Sequence, residues 1–367
     1  MAEKKYIMRA AALAAAAAAA CVMMTGCMSG GITAPVSTSN PQTKTSYSSD
    51  EVFEKLSAAL SEYNNDTEFD AVLSQEAVDG AVDKVCHFYP DYFWLNGYTV
   101  TTNRDSTSVS FMTLNDYSAE ELRTMHEELI RAADKITAQV PAGSDDYGKA
   151  LFVHDYIVNN TRYASEKLGL SYNGLWGTAY GCLVDGSAVC QGYAEAFSLI
   201  MQKLGIECGV CAGQSDRGSH AWNYIKTDGK YYWVDLTWDD PEAESSGDFG
   251  KLRHNYFMMD DELLLRTRTL NERQYYVPVC DSLDRNYFVM NNAYLKGYFP
   301  TEVGRVLAES ADEGVAEIMF ADETSFRSAV DGLFGNDEIW ELSGYTELGY
   351  SLNYSCDETM YVLHITY

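Results

Sequence analysis

Basic residues are scarce in this chain. It carries 26 lysines and arginines against 54 aspartates and glutamates, a formal net charge of -28 over 367 residues. An acidic surface of that size repels phosphate backbones and anionic headgroups, which argues against nucleic acid as a partner. Solubility accounts for the charge. No short repeat of fixed period runs through the chain, so a solenoid is excluded. No calcium loop of the EF-hand type is present. Cys208 and Cys211 stand at metal or redox spacing, but in a strand their thiols face opposite ways. No second cysteine pair or nearby histidine completes a zinc site there. The sequence therefore predicts chemistry that needs no cofactor and no metal.

The longest apolar run is alanine-rich, from Ala10 to about Met24, too short and too weakly hydrophobic for a comfortable membrane span. Lys4, Lys5 and Arg9 precede it and Met24-Thr25-Gly26-Cys27 follows it. Together they read as an export signal over residues 1–27. The tetrapeptide resembles the bacterial lipobox, which makes Cys27 the expected lipidated residue; Met24 stands where leucine is usual, and cleavage among the alanines is the alternative. Removing the signal takes away Glu3 and the three basic residues, leaving 53 acids and 23 bases. Residues 28–49, rich in Ser, Thr, Gly, Pro and Asn, suit a flexible tether. The expected location is the bacterial cell envelope, exported and held by lipid, facing outside the cytoplasm. Seven cysteines remain beyond Cys27, and an odd number leaves at least one free thiol if none pairs between chains.

At this length the chain has room for two or three domains. A helix is expected from Asp50 to about Glu62, while 70–85 is ambiguous. Short strands are expected between Tyr92 and Phe111. Ser118 and Glu121 form a capping box for a helix reaching about Ala138. Pro141-Ala142-Gly143 marks a boundary, which gives an N-terminal α+β region at 50–143. A helix at 145–160 follows, bearing His154, read as a packed or surface residue ahead of a catalytic one. Toward the C-terminus a strand at 315–320, a helix at 324–333 and a hairpin at 351–367 predict a small α+β region spanning 266–367.

Between these regions, at 144–265, lies the chemistry. Cys190 follows a Gly/Ser-rich turn and opens a helical pattern of Tyr193, Ala194, Phe197, Ile200, Met201 and Leu204, stopped at Gly205. A cysteine at a helix N-terminus meets unsatisfied N–H groups and the positive end of the dipole, which favour a thiolate and an oxyanion. His220–Lys226 and Lys230–Thr237 are strand-like and flank Asp228-Gly229, a hairpin signal. That turn pairs Thr227 with Lys230, Trp222 with Asp235 and His220 with Thr237. His220, Trp222 and Asp235 then share one face, with Asp235 the diagonal neighbour of His220. A register slip of one residue separates them. The three residues have roles: Cys190 the nucleophile, His220 the general base and acid, Asp235 the group that fixes the imidazole tautomer.

Cysteine first on a helix, then histidine and aspartate on following strands, resembles the transglutaminase-like superfamily of papain-type cysteine enzymes. The matching text is His154-Asp155-Tyr156-Ile157, Tyr180-Gly181, Gly186, Val189-Cys190-Gln191-Gly192-Tyr193-Ala194, Leu204-Gly205-Ile206, His220-Ala221-Trp222-Asn223 and Val234-Asp235 with Thr237-Trp238-Asp239. It covers about 147–260. The resemblance implies an α+β fold in which the cysteine helix packs on an antiparallel sheet. It implies acyl transfer, deamidation or proteolysis on a peptide or protein substrate, cell-surface protein or wall peptide. The alternative is a catalytically silent fold that binds envelope proteins or glycans. Val184 stands where a papain-like oxyanion glutamine is expected, leaving Tyr163 and Trp176 as candidate donors.

Overall fold

The computed structural model describes residues 3–7, 47–167, 174–241, 252–272, 274–348 and 352–367. Cys27 and the tether through residue 46 lie outside the described residues. Strand β1 (Glu3–Ile7) opens the chain, and α1 (Ser49–Ser61) follows, closed at its start by a reciprocal Ser48–Glu51 capping box. Then come β2 (Asp66–Phe69), α2 (Gln75–Phe88), β3 (Leu95–Thr102), β4 (Thr107–Thr113) and α3 (Ala119–Thr137). The sheet order is β1-β3-β4-β2. The expected Ser118–Glu121 box is present on α3, where each residue satisfies a backbone N–H that the first turn leaves without an intrahelical partner. Segment 70–85, ambiguous in sequence, contributes most of α2: Val78, Ala81, Val82 and Val85 are buried at helical spacing. The sequence reading gave the first 27 residues no structure, yet Glu3–Ile7 pairs antiparallel with β3, from Glu3–Thr102 to Ile7–Tyr98.

Next are α4 (Asp146–Asn160), β5 (Arg162–Tyr163), α5 (Ala179–Leu183), β6 (Ser187–Ala188) and α6 (Cys190–Lys203). The central sheet follows: β7 (Cys208–Ser215), β8 (Gly218–Thr227), β9 (Lys230–Val234) and β10 (Phe257–Met259), then α7 (Asp261–Leu264) and β11 (Arg268–Leu270). Its order is β10-β9-β8-β7-β11, every neighbouring pair antiparallel. The boundary expected at 265 thus cuts off the strand that closes one edge of this sheet; three residues without alternation carry no strand signal, and pairing with 213–215 makes them one. Only a tight turn separates β7 from β8, because Gln214–Ser219 and Ser215–Gly218 continue the ladder to its end.

The last layer contains α8 (Tyr287–Met290), β12 (Tyr294–Leu295), α9 (Pro300–Glu309), β13 (Val315–Phe320), α10 (Glu323–Val330), β14 (Asn353–Asp357) and β15 (Val362–Thr366). The sheet order is β12-β13-β15-β14, with β12 parallel to β13 across α9. The β12–α9 unit is the part absent from the expected β-α-β-β order.

The central sheet has two apolar faces, and strand alternation divides them. Ile225 and Tyr232 pack with Phe197 and Ile200 of α6 and with Val78 and Val85 of the N-terminal layer. Trp222, Tyr224 and Trp233 pack with Val303, Ile318 and Leu363 of the C-terminal layer. Cys208 belongs to the first cluster and Cys211 to the second, as alternation requires. The seven cysteines among the described residues are all free thiols. A polar seam docks the C-terminal sheet: Glu317 of β13 accepts from the His254 backbone N–H and from His364 of β15, and Asp357 accepts from Asn255 and Tyr256. No described helix is long and apolar enough to cross a membrane.

Candidate active site

Cys190 is the first residue of α6, and Val189, in extended backbone before it, supplies no side-chain cap. The opening amides of the helix therefore receive nothing from their own N-cap side chain. Val189 N–H donates to Trp176 O at 2.8 Å, which ties the helix start to the loop before α5. Gly192 sits in the first turn for want of space: a Cβ there falls 2.8 Å from Thr178 O and 2.9 Å from Trp176 O. Asn223 of β8 donates to Ala194 O at 2.8 Å and to Gly209 O at 3.2 Å, joining the helix to the sheet. Cys190 itself is partly exposed.

The hairpin sets the other two positions. Asp228 and Gly229 both adopt positive φ, 51° and 78°, the turn that matches strand twist. Thr227 faces Lys230 as expected, and the register holds to Asn223–Val234, where the ladder ends short of the expected Trp222–Asp235 and His220–Thr237 pairs. Asp235 lies one residue past β9. His220 Nε2 meets Asp235 Oδ2 at 2.7 Å, with His220 and Asp235 both buried. The Cys190 thiol is near enough to the same imidazole to help it hold its proton. With Nε2 turned to Asp235, Nδ1 is the nitrogen left for proton transfer.

One residue at this site has no signal in the sequence. Arg268 of β11 aims Nε at Asp235 Oδ2, 3.1 Å away, and its terminal nitrogen bonds the same oxygen. Both side chains are fully buried. Its guanidinium stacks 4.0 Å from the Trp238 ring centre and 4.8 Å from that of Tyr256. Arg268 lies 33 residues past Asp235, and nothing local distinguishes it from a surface arginine. The candidate oxyanion donors separate: the Trp176 backbone is bonded to the residue before Cys190, while the Tyr163 ring lies 6.2 Å from Tyr193.

Burial alone pushes the His220 imidazolium toward losing its proton. The Asp235 charge and hydrogen bond, helped by Cys190, overcome this and raise it to about 9. Burial likewise opposes the Asp235 carboxylate, but His220 and Arg268 hold it down at about 2. His220 thus binds its proton more tightly folded than unfolded. Its contribution to stability is complete below about pH 6.5 and fades as pH rises through about 9. Asp235 gives the acid side: its contribution is complete above about pH 3.8 and fades as pH falls through about 2. One ion pair is lost from either direction. Unfolding free energies from urea melts between pH 6 and 10 should decline by on the order of 3 kcal/mol in the parent on this account, and His220→Gln should lessen that decline. An undiminished slope in the variant would refute the assignment.

Residues 132–237 match the family model of the transglutaminase-like superfamily. That span contains Cys190, His220 and Asp235 and stops short of Arg268. No curated protein matches the chain. Among solved structures, a TGase is 13% identical over 47% of this chain and 50% of its own, with a TM-score of 0.29. A candidate cysteine protease from Cytophaga hutchinsonii is 15% identical over 38% of this chain and 56% of its own, with a TM-score of 0.25. The periplasmic domain of TgpA from Pseudomonas aeruginosa is 17% identical over 38% of this chain and 57% of its own, with a TM-score of 0.25. The matches thus span little more than half of those proteins. The chain carries a transglutaminase-like domain over residues 132–237.

Proposed function

We propose that this chain is a cysteine enzyme that acts on amide or peptide bonds through a thioester, held at the outer cell surface by lipid on Cys27. The observation that supports the catalytic reading is the buried His220 imidazole bonded to the Asp235 carboxylate at 2.7 Å, with the Cys190 thiol among the groups that help it hold its proton. In that arrangement the Cys190 thiolate attacks the carbonyl carbon, and the developing oxyanion accepts from the amides that open α6. His220 Nδ1 gives its proton to the leaving amine as the C–N bond breaks. The acyl group then stays on sulfur. An incoming amine or water gives its proton back to Nδ1 while attacking the thioester, and the thiolate leaves. Asp235 keeps the imidazole in the orientation that serves both steps. Amine as acceptor yields an isopeptide crosslink; water yields deamidation or a cut chain, according to the bond attacked.

Alkylation tests the nucleophile. Iodoacetamide should modify Cys190 in the folded chain at a rate that depends on pH and slows at least tenfold in His220→Ala. Cys182, Cys208 and Cys211 should resist, because burial shields these thiols and pushes their titration upward, to about 12 for Cys182. An inert Cys190 would favour a silent binding fold. A glutamine peptide, with and without a primary amine, then separates the reactions: ammonia with a crosslink means transglutamination, and cleavage without ammonia removes that version.

A further inference from the structure

A second cluster of titratable groups lies at the junction of the core and the C-terminal layer, apart from the Cys190 machinery. His154 is fully buried on α4, and its Nδ1 is 2.9 Å from Asp155 Oδ1. His254, from the segment before β10, brings Nε2 to 3.2 Å from that same oxygen. The ligand atoms of His154, Asp155 and His254 lie within 4.8 Å of one another. Each histidine is fixed by a second carboxylate on its far nitrogen: His154 Nε2 meets Asp239 Oδ2 at 3.1 Å, and His254 Nδ1 meets Glu317 Oε2 at 2.7 Å. The His254 ring is further held flat on Tyr287, with centres 3.8 Å apart.

Two imidazoles converging on one carboxylate oxygen, each braced from behind by another carboxylate, is the arrangement that orients histidine ligands around a metal ion. Bonds of about 2.1 Å at tetrahedral angles separate ligand atoms by about 3.4 Å, within a few tenths of an ångström of the two distances to Asp155. A dication between the three atoms replaces the protons that the near nitrogens present to Asp155. The two near nitrogens then draw in toward the ion, from atoms that all lie within 4.8 Å of one another. The Asp155 side chain is one-third exposed at 34%, which leaves a side open for entry and for a water as fourth ligand. Two nitrogens and one oxygen suit zinc and its transition-metal neighbours over calcium or magnesium, which prefer oxygen.

We propose that His154, Asp155 and His254 bind a divalent cation of the zinc class, which fastens the C-terminal layer to the core without entering the thiol chemistry. His154 and Asp155 come from the core helix, His254 precedes β10, and the bracing Glu317 belongs to β13 of the C-terminal sheet, so the ion joins both bodies.

The test uses the full chain, stripped with chelator and with its accessible thiols blocked by iodoacetamide so that exposed cysteines do not compete. Zinc titrated by calorimetry, with bound metal counted by mass spectrometry, should reach one equivalent. Calcium and magnesium at equal concentration should give no heat. His254→Ala should lose binding at least a hundredfold. Should that variant unfold by circular dichroism, Asp155→Asn, at the open side, should still weaken zinc at least tenfold. Less than a tenth of an equivalent bound at ten micromolar free zinc overturns the proposal and leaves an ion network without a metal. Equal binding by calcium, or zinc affinity unchanged in the folded variants, overturns it as well.

Discussion

Cys190→Ala should lower turnover of a glutamine peptide or cleavable peptide by about 10⁴-fold or more while leaving the fold in place. The two halves of that expectation have different causes. Alanine is a good residue for the first helical turn, and the position is only partly buried, so stability should change by less than about 1 kcal/mol. Activity has no such tolerance, since sulfur carries the acyl group and no neighbouring side chain replaces it. His220→Ala should fall nearly as far. Adding it to Cys190→Ala should cost little more, because the thiol and the imidazole act as one unit. The readout is single-turnover acylation together with a thermal melt. Retention of a tenth or more of the parent rate in Cys190→Ala would sink the nucleophile assignment, and a collapsed melt would be distinguished from it by the second measurement.

The geometry of the candidate site was legible in the sequence to the extent that it is local. Asp228-Gly229 specifies a two-residue turn, the turn specifies the register, and the register brings Asp235 to His220 fifteen residues away. Cys190 is legible for a related reason: the apolar spacing of α6 and the turn before it define where the helix begins. Ser118 and Glu121 announce α3 through a bond pattern confined to four residues. Long-range partners carry no such mark. Arg268 reaches Asp235 only because β11 pairs with β7 across 53 residues of chain, from Arg268 to Ser215. The bracing of His154 by Asp239 and of His254 by Glu317 likewise depends on how layers dock. His154, read as packed or on the surface, is buried, and its two nitrogens each face a carboxylate, which periodicity cannot show. Strand β12 escaped notice because two residues are too few for alternation, and only its parallel pairing with β13 makes it a strand.

Arg268→Met should destabilise the chain by about 3–5 kcal/mol and move the alkaline limb of activity upward. The stability term follows from burial: both side chains of the Arg268–Asp235 pair have no exposed surface. Removing the guanidinium leaves a carboxylate in the interior with His220 and the Trp238 N–H, 3.3 Å away, as its remaining partners. Methionine fills the stem volume but not the cationic contact with the Trp238 and Tyr256 rings. The kinetic term has a definite sign. Arg268 and His220 share Asp235 Oδ2, so the arginine draws off negative charge that otherwise holds the imidazolium. Without it, His220 keeps its proton to higher pH than about 9, and the same proton passes less readily to the leaving amine. Turnover at neutral pH should fall about tenfold at unchanged KM, and the rate–pH profile should shift its basic limb to higher pH. Arg268→Lys, which restores charge without the planar fork, should recover part of the stability and bring the limb back toward the parent. A merely structural arginine predicts the loss of stability but no movement of that limb, so the pH profile separates positioning of Asp235 from simple packing.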